Sequence, residues 1–159
     1  MNQGVSTDDL ENVVGYVLKQ AAWALRGAMD AALRPMGLTV PQYACLALLG
    51  RRPGLSNAEL ARGAFVSRQA MNGVLRGLQE RELVSRPAAA SKGRALPTEL
   101  TDSGREQLRS AAAAVRAIEQ RMVEHLSPSA RVRLRTDLAT CVASLASTDR
   151  REGVDSARQ

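Results

Sequence analysis

The chain has 159 residues, a formal net charge of +6, and few aromatic side chains: one Trp, two Tyr and one Phe. This length suffices for one domain, or for one domain with an appended dimerisation element, but not for two complete domains. No apolar stretch approaches the ~20 residues of a membrane-spanning helix and no signal peptide opens the chain, so we expect a cytoplasmic protein without a membrane partner.

Catalytic and metal-binding motifs are missing from the sequence. It contains no Gly-rich phosphate loop and no GxSxG motif, and the single His125 has no evident nucleophile as a partner. Two cysteines and one histidine cannot supply the usual zinc site of Cys and His ligands without help from carboxylates or another chain. The sequence therefore predicts neither an enzyme nor a protein that needs a cofactor or metal.

A long amphipathic helix is predicted in residues 1–35, with Asp8 or Asp9 as its N-terminal cap. Residues 35–37 end it, and Thr39, with Gln42 three residues later, begins the next helix as a capping box. The first helix is too long to serve only as a brace, so we assign residues 1–35 as a dimerisation helix. Its apolar face comprises Leu10, Val13, Val14, Val17, Leu18, Ala21, Leu25, Met29 and Leu33.

Two short capped helices follow a few residues later. Ser56 and Glu59 form a capping box for the first, and Ser67 caps the second after a turn at residues 63–66. In the second helix the apolar side chains recur at i, i+3, i+4 and i+7, which predicts one buried stripe. The stripe comprises Met71, Val74, Leu75 and Leu78. The opposite face carries Arg68, Gln69, Asn72, Arg76 and Gln79.

That polar face suits the major groove of DNA, where Arg pairs with guanine and Asn or Gln with adenine. A polar helix face on its own is more often simply solvated. Here, however, two β-prone runs, LVSRP and RALPTEL, flank the flexible AAASKG, which places Lys92 and Arg94 near the tip of a hairpin. Such a wing can lay cations along the phosphate backbone or in the minor groove. Residues 36–101 are therefore predicted to form a winged helix-turn-helix that binds duplex DNA.

Charge distribution agrees with this prediction. Residues 51–105 hold 10 basic and 5 acidic side chains, so most of the net positive charge lies in this segment. Basic surfaces favour DNA because binding releases counterions from the phosphates. They also suit an anionic membrane or an acidic protein, so charge alone does not decide the partner.

Two further helices are predicted after the hairpin, in residues 102–148. Thr101 caps the first, and Ser127 with Pro128 separates it from the second. Their apolar faces could bury one another in a symmetric dimer or in an intramolecular bundle. Residues 149–159 lack apolar content and are predicted to form a mobile tail. The two apolar faces comprise Leu108, Ala111, Val115, Ile118 and Met122, and Val132, Leu134, Leu138, Val142 and Leu145.

Over roughly residues 10–147 the chain resembles the MarR family of transcriptional regulators. Three segments carry the resemblance: LTVPQYACLALL at 38–49, the helix-turn-helix and first wing strand at 55–86, and LTDSGREQL at 100–108. The resemblance implies a mainly α fold with a small β-hairpin wing, and a homodimer built from the N-terminal and two C-terminal helices. It also implies binding to a palindromic operator and release by a small molecule or oxidant. An architectural DNA-binding protein without ligand response is the alternative.

The expected DNA-binding side chains lie on the second helix of the motif and on the wing. Gln69, Asn72 and Arg76 are expected to discriminate bases, and Arg68, Lys92 and Arg94 to set affinity. With the cap residue, the complete set is Ser67, Arg68, Gln69, Asn72, Arg76, Lys92 and Arg94.

Two positions depart from the family pattern. The family commonly has glycine where this chain has Glu82, at the end of the recognition helix. Either Glu82 adopts the left-handed conformation that favours glycine, or the helix ends differently. The family wing also usually has an acidic residue shortly before its arginine, whereas Ser91 stands nearest that place before Arg94.

In proteins that this chain resembles, small ligands often bind between the dimerisation helices and the DNA-binding lobe. Tyr16, Trp23 and Tyr43 are candidates to line such a pocket for a phenolic or lipophilic effector, although each is more often plain core or interface. Arg26 could offset an anionic ligand, but a solvated or interface arginine is at least as common.

The two cysteines are interpreted as buried structural thiols. Cys45 and Cys141 are flanked by apolar residues, and no neighbouring cation is evident that would favour a thiolate. The peroxide-sensing branch of the family has its reactive cysteine near the start of the first helix, where this chain has none. The sequence therefore favours a small-molecule effector over an oxidant.

Overall fold

The computed structural model describes residues 10, 12–85 and 97–155, of which residues 147–155 are described by their backbone alone. The predicted fold class, mainly α with a small hairpin, is confirmed. The chain forms one compact unit up to Glu119 and a second from Gln120. In order, the elements are α1 (Val14–Leu33), a 3₁₀ turn (Arg34–Met36), α2 (Val40–Arg51), α3 (Asn57–Gly63), α4 (Arg68–Glu80), β1 (Val84–Ser85), β2 (Glu99–Leu100), α5 (Asp102–Met122) and α6 (Pro128–Asp155).

Side-chain caps begin helices α2 to α5 where the sequence predicts them. Thr39 and Ser56 each form a complete capping box, with Gln42 and Glu59 respectively. In the second box the Ser56 amide donates to Glu59 Oε2 at 2.9 Å. Hydrogen bonds from the Ser56 amide and hydroxyl hold the pKa of the Glu59 carboxyl below its usual value, and Arg52 adds to this effect. These caps satisfy amides that a helix end leaves without partners.

A single apolar core holds the first unit together. The predicted stripe of α4 is buried in it, with Met71, Leu75 and Leu78 almost fully inaccessible and Val74 partly buried. The side chains that surround the stripe come from α1, α2, α3, the hairpin and α5, and include Leu33, Leu46, Leu49, Leu60, Leu83, Val84, Leu100, Ala111 and Val115.

The hairpin is shorter in its described part than the two predicted runs. Val84 pairs with Leu100 and Ser85 with Glu99 in antiparallel register. Val84 and Leu100 are buried, and Ser85 and Glu99 are exposed, as expected for a pair with one face on the core. Residues 86–96, which include the predicted tip, lie outside the described residues.

A Schellman turn ends α4. The Leu83 amide donates to the Leu78 carbonyl and the Glu82 amide to the Gln79 carbonyl, both at 2.9 Å. This pattern requires a left-handed residue after the cap, and Glu82 has φ of +55°. The first of the two alternatives for Glu82 is therefore correct: the helix ends where a glycine would end it, and the glutamate adopts the strained conformation.

Helix α5 starts directly against this turn. The Thr101 hydroxyl donates to the Glu82 carbonyl at 2.7 Å and accepts the Gly104 amide at 2.9 Å. The Thr101 amide also donates to the Leu83 carbonyl at 3.2 Å. A Cβ on Gly104 would overlap the Leu83 carbonyl oxygen, so only glycine permits this approach.

The termini differ from the sequence-based expectations. Helix α1 begins at Val14 with Val13 as a cap that makes no side-chain hydrogen bond, and the expected caps Asp8 and Asp9 lie outside the described residues. At the other end, α6 continues to Asp155 and so includes residues 149–155 of the predicted tail. Extending an existing helix by one residue costs little, and Arg150, Arg151 and Glu152 have good helix propensity, whereas Gly153 does not favour the last turn.

Helix α6 exposes its apolar side chains in the single chain. The exposed residues are Val132, Leu134, Leu138, Val142 and Leu145. An amphipathic helix whose apolar face is uncovered is the usual basis of an interface with another helix.

We predict that Glu82→Gly raises the free energy of unfolding by about 1 kcal/mol, because a left-handed backbone costs an L-residue that much. The measurement is chemical denaturation at fixed protein concentration, since oligomerisation would make the midpoint concentration-dependent. Glu80→Gly is the matched control, because it removes the same side chain from the last helical turn. This control should lower stability by about 0.5–1 kcal/mol. Equal losses in both variants would contradict the prediction.

Candidate nucleic-acid interface

The polar face of α4 is exposed to solvent. Arg68, Gln69, Asn72 and Arg76 are all exposed, while the opposite stripe is buried in the core. Ser67 precedes them as the N-cap, and its hydroxyl accepts the Ala70 amide at 3.0 Å. The sequence-predicted members of the site on α4 thus share one exposed face, which extends from the N-cap to Arg76.

A residue of α3 forms a hydrogen bond with the side chain of Asn72. Asn57 Nδ2, at the first position of α3, donates to Asn72 Oδ1 at 2.5 Å. Asn57 is absent from the sequence-predicted site. No sequence pattern could have found this pair, because the two residues are 15 positions apart and meet only through the crossing of α3 and α4.

The turn between α3 and α4 presents an aromatic ring to solvent. Phe65 is 94% exposed and has φ of +56°. Its amide donates to the Arg62 carbonyl, and the Val66 amide donates to the Ala61 carbonyl, so α3 also ends in a Schellman turn. The sequence predicts a turn in this segment, but the predicted site does not include Phe65. The sequence feature that could have identified Phe65 is an aromatic residue within a turn that favours small residues.

Arg81 fixes the far end of α4. Its guanidinium donates to the Gly37 carbonyl at 2.5 Å and to the Met36 carbonyl at 3.2 Å. Gln107 on α5 donates to the same Met36 carbonyl at 3.0 Å. The recognition helix is therefore held at its C-terminal end by the loop that joins α1 to α2. The remaining predicted site residues, Lys92 and Arg94 of the wing, lie outside the described residues.

The four residues proposed to bind an effector lie on two helices. Tyr16, Trp23 and Arg26 are exposed on α1, where Trp23 is 82% exposed and Arg26 pairs with Asp30 at 3.7 Å. Tyr43 is half-buried on α2. Burial raises the pKa of its hydroxyl, the Glu119 carboxylate adds to the rise, and Arg116 opposes it.

Two clefts in the first unit do not include any of these four residues. One, of about 400 Å³, is lined by α2, β2 and α5, including Glu99, Arg105 and Arg109. The other, of about 600 Å³, lies beside α2 and α3 and includes Arg51, Arg52 and Arg62. Neither cleft therefore corresponds to the effector site predicted from the aromatic residues.

The cysteine prediction is correct for one residue and wrong for the other. Cys45 is buried in the core, whereas Cys141 is exposed on α6. The apolar neighbours of Cys141 in sequence do not bury it, because they lie on a helix face that this chain leaves uncovered. Among residues 10, 12–85 and 97–146, no cluster of three or more His, Cys, Asp or Glu side chains could hold a metal ion. Within the same residues, every helix is too short or too polar to span a bilayer.

Comparisons with known proteins identify the family. A model of the MarR family matches residues 36–95. The HTH-type transcriptional repressor Rv2887 of Mycobacterium tuberculosis (strain ATCC 25618 / H37Rv) is 48% identical over 114 residues, which cover 72% of this chain and 82% of the relative. The chain belongs to the MarR family. It is therefore a DNA-binding transcriptional regulator and not an enzyme.

Solved structures of MarR proteins agree with the fold. The M. tuberculosis MarR family protein Rv2887 in complex with DNA has 40% sequence identity and a TM-score of 0.68, and covers 81% of this chain and 97% of that one. The same protein with salicylic acid has 43% identity, a TM-score of 0.68, and coverage of 81% and 96%. The repressor CouR, bound to a 23-mer DNA duplex, has 30% identity, a TM-score of 0.77, and coverage of 88% and 99%.

Proposed function

We propose that this MarR protein is a homodimeric, cytoplasmic repressor that binds a palindromic operator through α4 and is released by a small aromatic acid. The observation that carries the proposal is the exposed face of α4, where Arg68, Gln69, Asn72 and Arg76 stand over a buried stripe. A relative of the same fold is known in complex with DNA. The major groove admits a helix of this kind, and the donors and acceptors on its face can pair with base edges.

Homodimerisation is supported by the exposed apolar side chains of α1 and α6. Val14, Val17 and Leu18 on α1 and the apolar residues of α6 are exposed in the single chain. Exposed apolar patches on soluble proteins mark interaction surfaces, and a two-fold dimer buries the same patch on both copies. Such a dimer would place its two recognition helices about one duplex turn (~34 Å) apart.

A small aromatic acid as effector is supported by the relative that was crystallised with salicylic acid. In this chain Tyr16, Trp23 and Tyr43 could supply aromatic walls and Arg26 a cation for the carboxylate. The effector would act by favouring a dimer whose recognition helices no longer match successive major grooves. A second candidate, an architectural DNA binder, would hold the same duplex with or without effector.

The function is tested by selecting bound duplexes from a random library and titrating the recovered operator with salicylate. We expect a palindrome whose half-sites are about 10 base pairs apart, and a loss of affinity as salicylate is added. Salicylamide, which lacks the carboxylate, should release the operator less readily. Arg26→Ala should weaken the response to salicylate while leaving the operator affinity without effector unchanged.

Each outcome of this experiment separates the candidates. An operator that is bound equally with and without salicylate would support the architectural protein. A recovered site without palindromic symmetry would contradict the dimer. If no duplex is bound in preference to random DNA at low salt, the proposed regulator itself is excluded.

Some of the DNA-binding side chains are expected to discriminate bases and others to set affinity, which gives a further prediction. Asn72→Ala and Arg76→Ala should reduce discrimination between operator variants by about 1–3 kcal/mol. Arg68→Ala, Lys92→Ala and Arg94→Ala should weaken binding to all duplexes similarly and reduce the salt slope by about one. Arg135→Ala on α6 serves as the control for the loss of one positive charge. Binding curves for operator variants at several salt concentrations measure both effects, and a selective loss in Arg68→Ala would contradict its assignment.

A further inference from the structure

An aromatic side chain in the turn between α3 and α4 is exposed on a strained backbone. Phe65 is 94% exposed and has a left-handed φ of +56°. This conformation is costly for a residue with a Cβ, whereas glycine adopts it readily. Within the described residues, no packing around the ring offsets the cost of the backbone or of the exposed apolar surface. A partner that covers the ring would offset it.

Backbone hydrogen bonds on both sides fix the position of this turn. The Phe65 amide donates to the Arg62 carbonyl at 3.3 Å, and the Val66 amide donates to the Ala61 carbonyl at 3.0 Å. Val66 is partly buried against the apolar core, whereas the neighbouring Phe65 is exposed. Ser67, two residues after Phe65, caps α4. The ring is therefore held beside the N-terminus of the recognition helix.

The charge around the ring favours an anionic partner. Residues 60–79 contain three arginines and no acidic residue. Arg62 and Arg68 stand three residues before and after Phe65, and both are exposed. The free amides at the N-terminus of a helix add partial positive charge. A surface of this kind suits the phosphates of DNA.

The isolation of the ring distinguishes it from the apolar faces of α1 and α6. Between residues 24 and 121, Phe65 is the one large apolar side chain that is exposed among the described residues. Protein interfaces are usually marked by contiguous apolar patches. A single ring between two cations is instead suited to one small apolar group within a charged partner.

Duplex DNA presents such a group in its major groove. The C5-methyl group of thymine is the apolar group on the base edges there, and phenylalanine is among the side chains that contact it. In helix-turn-helix proteins the N-terminal residues of the recognition helix contact the base edges. A side chain just before that helix is therefore placed to reach a base at the edge of the same site.

We infer that Phe65 contacts the C5-methyl group of a thymine in the operator, at the edge of the major groove that α4 enters. The inference rests on the proposed function, because it requires α4 to lie in that groove. It adds an apolar contact to a recognition face of polar and cationic side chains. It also predicts a preference for thymine at one position of each half-site.

Operators in which single thymines are replaced by deoxyuridine test this contact, because they lose one methyl group and keep the hydrogen-bonding groups of the base. The starting operator is the one that wild-type protein selects from random duplexes. Removing the contacted methyl group from one half-site should weaken wild-type binding about three- to fivefold, as expected for one buried apolar carbon. Phe65→Gly should bind with the same affinity whether or not that methyl group is present. Phe65→Leu should retain part of the sensitivity.

Two controls separate the contact from loss of the fold and from a general loss of affinity. Phe65→Gly should unfold at a higher denaturant concentration, because glycine relieves the left-handed strain. Arg68→Ala should weaken binding to all duplexes, yet the three- to fivefold effect of the methyl group should remain, because the ring is still present.

The outcomes that would overturn the contact are distinct from failure of the proposed function. A thymine methyl group whose removal weakens wild-type protein and Phe65→Gly equally would overturn it, as would an operator in which no thymine is sensitive. A change in dimerisation of Phe65→Gly with unchanged methyl sensitivity would assign the ring to a protein interface instead. If wild-type protein selects no operator, the proposed function itself fails, and this inference fails with it.

Discussion

The backbone at the end of the recognition helix is the constraint on which the rest of the first unit depends. The Leu83 amide closes the Schellman turn, and the Leu83 carbonyl accepts the Thr101 amide. Gly104 then packs directly on that carbonyl, where a Cβ would overlap the oxygen. The backbone of one residue, Leu83, therefore connects α4, the hairpin and α5. Because these links are made by backbone atoms, the recognition face cannot change its angle to the start of α5 by a simple change of side-chain rotamer.

A second set of links joins the same region to α1. Arg81, the cap residue of α4, donates to the carbonyls of Gly37 and Met36, and Gln107 from α5 donates to that of Met36. Hydrogen bonds from a guanidinium are stronger than those between neutral groups. The loop after α1 is thus attached both to the recognition helix and to α5. A change in the position of α1 would have to move α4 or break charge-assisted hydrogen bonds, which gives an effector near α1 a physical route to the DNA-binding face.

The sequence predicted those features that depend on neighbours along the chain. The caps at Ser56 and Ser67 and the stripe of α4 follow from spacings of three and four residues, and all were confirmed. The Asn57 to Asn72 and Arg81 to Gly37 hydrogen bonds span 15 and 44 residues. They depend on how helices cross, which no local pattern encodes. Cys141 was wrongly placed because its apolar neighbours suggest burial, although the face they form is uncovered in one chain.

Two residues other than glycine have a left-handed backbone in the described part of the chain, Phe65 and Glu82. They differ in whether the chain itself offsets the cost of that conformation. Both follow a helix cap in a Schellman turn, where glycine would cost less. The side chain of Glu82 is exposed to solvent, and its carbonyl is used by Thr101, so its strain needs no partner outside the chain. Phe65 adds the cost of an exposed apolar ring to the cost of its backbone. Within the described residues nothing offsets that second cost, whereas a partner that covers the ring would do so. The position of Phe65 beside the N-terminus of α4 makes the duplex the partner best placed to cover it.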